Sequence, residues 1–304
     1  MIKYLSKWYI RIPLALIILY YLGRVVISNF NNISMYNWQF DWIYIVLSLI
    51  IVLVNYFWLI NIWRLSLKHF GGVNLNIRTA YKIWAYSSLG KYIPGKIWAV
   101  AGMIVLVEKQ GVKRSDAIVT ALIYQYLNVT AGFLISFLGA VLYFREWLAI
   151  EFLIAGIPLL ILLAYPPLIS YIINFVSKVL KYEGTSRRLS YSMSLYYLIA
   201  HFISWLIYGL AFFFFFNGIM AADSNLFLPL TAVFAGSYII GFLSIFVPSG
   251  IGVREGIMSA SLAKIIPSEI AVSISLVARA WLTVAELIMY SALIFVRKEK
   301  LMGN

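Results

Sequence analysis

The sequence predicts an all-α polytopic membrane protein: six full spans and two opposed re-entrant helical hairpins in an inverted repeat, with the N and C termini cytoplasmic. Three observations lead there. Of 304 residues, 63% are hydrophobic and only 12% charged, with a mean hydropathy of +0.91. So few charges cannot cover a water-facing surface, so most side chains must meet lipid. Two of the apolar stretches are interrupted by proline and glycine, and the cations gather in alternate connecting segments. Together these exclude a soluble enzyme, a disordered regulator and a nucleic-acid module, despite a net charge of +13. The chain has no cysteine, and its two histidines, His69 and His201, lie far apart, so neither a thiolate site nor a zinc site is expected. No cofactor is expected either.

A helix needs about 20 apolar residues to cross the hydrocarbon core. The first candidate, 12–26, follows Lys3, Lys7 and Arg11 and lacks a small-x-small cleavage site, so it reads as a retained span. Segments 42–63, 117–143, 195–216 and 270–296 are continuous apolar runs of spanning length. Segment 152–176 reaches that length through Pro166-Pro167, which should kink it. Regions 80–107 and 226–263 are apolar but broken, at Gly90-Lys91-Tyr92-Ile93-Pro94-Gly95-Lys96 and at Val247-Pro248-Ser249-Gly250-Ile251-Gly252-Val253-Arg254-Glu255-Gly256. Proline removes a donor and glycine relaxes the helix, so each break ends one helix and starts another.

Charge sets the expected topology, because cytoplasmic loops collect Lys and Arg. The clusters Lys3/Lys7/Arg11, Arg64/Lys68/Arg78/Lys82, Lys109/Lys113/Arg114, Lys178/Lys181/Arg187/Arg188 and Arg297/Lys298/Lys300 hold 17 of the 24 cations. The remaining linkers carry Asp41, Glu146, Glu151, Asp223 and Glu269, with Arg145 alone. With all five basic clusters inside, region 80–107 dips in from the cytoplasm and region 226–263 from outside. The single transmembrane domain then divides into two N-terminal spans (1–78), the first hairpin and a span (79–143), middle spans (144–225), the second hairpin and a span (226–296), and a basic cytoplasmic tail (297–304). At an offset of 154 residues, Pro94 falls on Pro248, Ile97 on Ile251, Gly102 on Gly256, Ala117 on Ala271 and Gln125 on Arg279. A shared layout in opposite orientation is an inverted repeat, a construction common in secondary transporters.

Half-helices that begin inside a membrane expose unpaired N–H groups and a positive dipole end, which suits an anion. The helices starting near Ile97 and Val253 are expected to do this, with Ser249 as an N-cap and Gly95, Gly250 and Gly252 allowing close backbone approach. Lys91, Lys96, Arg254 and Arg279 add full charges. Facing lipid, each would cost roughly 2.5–3.5 kcal/mol, on the order of 10 kcal/mol for four. They must face a cavity, a counter-charge or a ligand, and a phosphate head group fits. The intramembrane acids are Glu255 and Glu286. Glu286 lies seven residues after Arg279, on the same face, a spacing suited to opposite walls of one cavity. Adjacent Arg254 and Glu255 should have different partners. His201 reads as a packed, hydrogen-bonded helix residue, the Tyr and Trp residues as anchors or packing, and the phenylalanine run at 212–216 as lipid-facing bulk.

The stretch LGKYIPGKIWAVAGMIVLVEKQGVKRSDAIVTALIYQYLN (89–128) resembles the first signature of the lysylphosphatidylglycerol synthase transmembrane-region, or flippase-like, family. FVPSGIGVREG (246–256) resembles its second. The resemblance implies a lipid or lipid-linked-saccharide translocase, with functional positions Pro94, Gly95 and Lys96 in the first motif and Pro248, Gly250, Gly252, Arg254, Glu255 and Gly256 in the second. The first motif has Gln125 where relatives can carry a charged residue. Some members are fused to a soluble aminoacyl-lipid synthase and others sit beside glycosyltransferases. Because every connecting loop here is short, synthesis of lysyl-lipid is not expected.

The expectation is a flippase-type transporter that moves an anionic phospholipid or a polyprenyl-phosphate-linked saccharide between leaflets. Glu255 or Glu286 would couple it to protons, a glycosyltransferase is a possible partner, and the cytoplasmic membrane of a prokaryote is the expected location. The rivals are a membrane glycosyltransferase or lipid transferase, which needs an acidic motif in an outer loop where the first such loop offers Asp41 alone, and a non-catalytic scaffold of a cell-envelope glycosylation complex.

Overall fold

The computed structural model describes residues 40–92, 97–143, 190–244 and 252–294, with Trp38, Tyr165, Pro167, Leu168, Tyr171, Lys178 and Gly250. The expected span over 12–26, most of that over 152–176, and both termini lie outside the described residues. Among these, every regular element is a helix: α1 (Trp42–Gly71), α2 (Ile77–Ser88), α3 (Ile97–Glu108), α4 (Arg114–Tyr143), α5 (Tyr191–Asn217), α6 (Phe227–Leu243), α7 (Val253–Leu262) and α8 (Ser268–Ser291). A 3₁₀ turn, Leu89–Tyr92, prolongs α2. Among the described residues, five helical stretches are long and apolar enough to cross a membrane: Trp42–Gly71, Arg114–Leu142, Tyr191–Asn217, Ser224–Leu243 and Ile270–Ser291. The chain is therefore a multi-pass membrane protein. Four of the five coincide with expected spans. The other is the first arm of the second broken region, which by length and composition suffices for a full crossing.

Helix periodicity explains which faces are covered. Along α1, Ile43, Val46, Ile50, Val54 and Phe57 are exposed at spacings of three and four, a stripe for lipid. The opposite face, with Val52, Tyr56, Leu59, Ile60, Trp63 and Phe70, is buried. Asp41 starts this helix by accepting a hydrogen bond from the Ile43 N–H at 2.9 Å, filling one of the donors that a helix start leaves open. α5 is the central helix, packed against α1, α4 and α6. The phenylalanine run on it is not lipid-facing bulk. Phe212, Phe215 and Phe216 are buried, Phe212 at 5.2 Å from the Phe234 ring and Phe215 stacked on Trp281 at 4.7 Å. Five consecutive residues sweep more than a full helical turn, so positions i, i+3 and i+4 of such a run reach whatever core is present.

Side chains also tie the helices together. Trp281 Nε1 donates to Ser48 Oγ, Trp205 Nε1 to the Asn128 carbonyl and Trp58 Nε1 to the Ala200 carbonyl, each at 2.9 Å. Such bonds contribute about 0.6 kcal/mol apiece in a membrane.

Both broken regions fold back closely upon themselves, and glycine permits it. A Cβ on Gly90 would stand 2.6 Å from backbone atoms of Trp98 and Ala99 in α3, and one on Gly250 would stand 2.6 Å from the Gly241 carbonyl oxygen in α6. The repeat offset also recurs in the helix boundaries. α3 ends at Glu108 and α4 begins at Arg114; adding 154 gives 262 and 268, where α7 ends and α8 begins.

Candidate functional site

Where the two breaks and α8 meet, a cavity of about 230 Å³ opens. It is smaller than the roughly 300–1,000 Å³ that encloses a drug-sized ligand, a size for a head group rather than for acyl chains. Its lining includes Lys91 from the first break, Arg254 from the second, and Arg279 and Glu286 from α8. Charged groups remote in sequence therefore share one space. Lys96, with Pro94 and Gly95, and Pro248, with Ser249, lie outside the described residues.

Two of the three cations are answered by carboxylates. Arg279 Nη1 donates to Glu255 Oε1 at 2.5 Å, with side chains 13% and 10% exposed, and Lys91 Nζ donates to Glu286 Oε1 at 2.5 Å. Arg279 and Glu286 thus share a face of α8 without pairing to one another. Glu255 does a second job: its Oε2 accepts the Gly252 N–H at 2.6 Å. It is the third residue of α7 reaching back to cap its own helix. This corrects the expectation for Ser249, because the N-cap is Gly252, three residues later. Gly252 has φ +83°, a conformation glycine adopts without strain, and a glycine needs no capping side chain where a carboxylate on the next turn supplies the acceptor. The open dipole end expected at this helix is therefore met by the chain's own anion.

Arg254 differs. Its guanidinium carbon lies 5.2 Å from the Phe234 ring centre and 4.9 Å from that of Tyr238, residues one turn apart on α6. The aromatic faces hold the cation without neutralising it. Its Nη2 is buried with no hydrogen-bond partner among the described residues. Gly241 makes the position possible, since a Cβ there would come within 2.9 Å of Arg254 Cβ. Adjacent Arg254 and Glu255 do take different partners, as two consecutive helical positions must. Gly250, at φ +67°, packs against α6, while Gly252 and Gly256 have open space where a Cβ would stand.

The wall between these charges was not legible as a wall. Tyr56, Trp84, Tyr124, Trp205, Tyr208 and Tyr238 line it, residues that composition assigns to anchoring or packing. Gln125, Asn128 and Thr283 add neutral polar groups. Their signal was present as hydrogen-bonding side chains within apolar spans. Gln125 and Arg279, matched at the 154-residue offset, line the same cavity.

A family model described as Lysylphosphatidylglycerol synthase TM region matches residues 8–289. No curated protein and no solved structure matches the chain.

Proposed function

The chain belongs to the lysylphosphatidylglycerol synthase TM-region family, and on that premise we propose that it is a flippase-type transporter moving an anionic phospholipid or a polyprenyl-phosphate-linked saccharide between leaflets. The family accounts for a membrane protein that handles lipid. The finer reading rests on one observation: Arg254, which lines a cavity shared with Lys91, Arg279 and Glu286, carries a buried guanidinium nitrogen with no partner among the described residues. A buried polar group without a partner costs about 1–3 kcal/mol, more when charged, and a phosphate oxygen would relieve it.

In this reading the head group enters the cavity while the tails stay in lipid, and Arg254 makes the first contact. Arg279 and the start of α7 become available when Glu255 swings aside. Protonation of Glu255 would remove the counter-charge of Arg279, which is how proton coupling would act, with Glu286 guarding Lys91 in the same manner. The opposed hairpins, six spans and cytoplasmic termini drawn from the charge pattern belong to this proposal. So do the cytoplasmic membrane of a prokaryote and a glycosyltransferase partner.

The test is head-group accessibility in reconstituted vesicles carrying a labelled anionic lipid, followed by quenching from outside. Wild-type protein should expose inner-leaflet label, and Arg254→Ala and Glu255→Ala should slow this at least about tenfold, the weight of one charge-assisted hydrogen bond or more. Variants that move lipid as fast as wild type would refute the site.

A further inference from the structure

The 154-residue offset relates whole helices, and two contacts that it makes equivalent are closed in different ways. Adding 154 carries α1–α4 onto α5–α8 in order. Trp84 falls on Tyr238, Ser87 on Gly241 and Val100 on Arg254, and all six line the cavity. The contact of α4 with α6 at one end of the cavity therefore has a counterpart in that of α8 with α2.

The first contact is sealed backbone to backbone. α4 carries Gly132, Ser136 and Gly139 on one face, at spacings of four and three. A Cβ on Gly132 would stand 2.8 Å from the Ile239 side chain of α6 and 2.9 Å from the Trp205 ring, and Gly139 packs on Ala232. A Cβ on Gly236 would lie 3.6 Å from Ser136 Cβ. Small residues at such a seam let two helices approach closely. α5 packs on α4 as well, with His201 fully buried against the Tyr124 ring, centres 4.7 Å apart. The His201 ring nitrogens have no hydrogen-bond partner among the described residues, so this residue is packed but not hydrogen-bonded as expected.

The second contact is closed by the tips of side chains. In place of Gly132 and Ser136, α8 has Glu286 and Tyr290; in place of Ala232 and Gly236, α2 has Arg78 and Lys82. Side chains of that size hold helix backbones apart, and among the described residues α2 and α8 are not a closely packed pair. What spans them is polar. Lys91, in the turn that prolongs α2, donates to Glu286 Oε1 at 2.5 Å, Ser88 Oγ and Tyr290 Oη lie 3.2 Å apart, and Tyr81 Oη donates to the Met289 carbonyl. The Lys91 side chain is 29% exposed, against 13% for Arg279 in the deeper ion pair. On the adjoining face of α8, Val284, Leu287 and Ile288 are exposed for lipid. Polar contacts of this kind are individually weak enough to break and re-form.

We propose that the α2–α8 contact is the mouth through which a lipid head group passes between the bilayer and the cavity. Lys91–Glu286, Ser88–Tyr290 and Tyr81–Met289 are its latch, and the α4–α6 seam stays shut while the mouth loads. This rests on the translocase reading and adds the route of entry. An incoming phosphate helps to undo the latch, because it competes with Glu286 for Lys91.

The chain has no cysteine, so cysteine pairs can be set against each contact in turn. Ser88→Cys with Tyr290→Cys is joined by a short, reducible thiol-bridging reagent, and Lys91→Cys with Glu286→Cys gives a second pair across the mouth. Ser136→Cys with Gly236→Cys suits a direct disulfide, since the two Cβ atoms would stand 3.6 Å apart. The readout is the association rate of a fluorescent short-chain anionic lipid with the purified full chain in micelles. Bridging either α2–α8 pair should slow association at least about tenfold relative to the same variant unbridged, and reduction should restore it. The α4–α6 disulfide should leave the rate as it is. Unchanged association after both α2–α8 bridges, or equal slowing by the α4–α6 disulfide, overturns the mouth. Equal slowing of Ser88→Cys alone by the reagent traces the effect to an adduct in the cavity and overturns it too. If wild type binds no anionic lipid, the translocase reading fails and takes this inference with it.

Discussion

Glu255→Gln should move stability and ligand affinity in opposite directions, an outcome that few other accounts of this carboxylate share. In the resting protein Glu255 holds Arg279 at 2.5 Å and the Gly252 N–H at 2.6 Å. Glutamine keeps an acceptor for the N–H but loses the charge, leaving Arg279 buried without its counter-ion. Breaking a buried pair from one side costs about 3–5 kcal/mol, a midpoint drop of roughly 10 °C for a protein of this size. The same change removes a negative charge from beside the phosphate position. For a phosphate taken to sit roughly 8 Å away, at an effective dielectric of about 20, that is worth about 2 kcal/mol, near thirtyfold in Kd. Thermal unfolding in micelles reads the first quantity, and competition for a fluorescent anionic lipid reads the second. Adding Arg279→Gln should restore most of the stability, since two neutral amides leave no unpaired charge, and should erase the gain in affinity. If Glu255→Gln weakens lipid binding along with stability, Glu255 is structural or a direct ligand, and its place as an internal stand-in for phosphate is refuted.

Other substitutions separate backbone from charge. Gly252→Ala should cost about 3 kcal/mol, because φ +83° with ψ −46° lies outside even the left-handed helical region and is strained for alanine, although nothing stands within 4 Å of the added carbon. Gly250→Ala should give no folded protein in size-exclusion chromatography, because the methyl would meet Gly241 backbone at 2.6 Å. Arg254→Lys should keep the charge and the fold yet slow lipid movement about tenfold, since an ammonium lacks the planar face that Phe234 and Tyr238 hold.

The sequence revealed what depends on local chemistry. Apolar runs gave α4, α5 and α8 within about five residues, because the length of a span is imposed by the bilayer, and gave the start of α1, which runs on to Gly71 past the expected end at residue 63. The proline–glycine breaks located the helix starts near Ile97 and Val253, and the cost of intramembrane charge singled out Lys91, Arg254, Arg279, Glu255 and Glu286 before any contact was known. The assignment of partners was hidden. Glu286 sits seven residues from Arg279, yet it answers Lys91 from 195 positions away, and only the packing of α2 against the rest brings that lysine near. Phe212, Phe215 and Phe216 misled for a related reason: within a membrane both core and lipid are apolar, so hydrophobicity ceases to tell inward from outward. Ser249 looked like a cap because its side chain suits the part, whereas the helix begins at a glycine that borrows its acceptor from Glu255.

Charge balance carries the argument to the kind of phosphate. Among the described residues the site holds Lys91, Arg254 and Arg279 against Glu255 and Glu286, so one positive charge is in surplus whether Glu255 points at Arg279 or aside. A monoanionic phosphodiester makes the occupied site neutral, the state least costly to keep inside a bilayer. A phosphomonoester, whose second proton leaves near pH 6, overshoots to a net negative site at neutral pH. A monoester such as short-chain phosphatidic acid should therefore weaken relative to a diester as pH rises through about 6–7. The sign follows from the ligand: below that range the monoester is a monoanion and matches the surplus charge, and above it the extra charge has no further cation to meet among the described residues. Competition titrations at several pH values with the two lipids decide the matter. A monoester that binds more tightly at pH 8 than at pH 5.5 would mean further cations reach the phosphate, and the single-surplus account would be wrong.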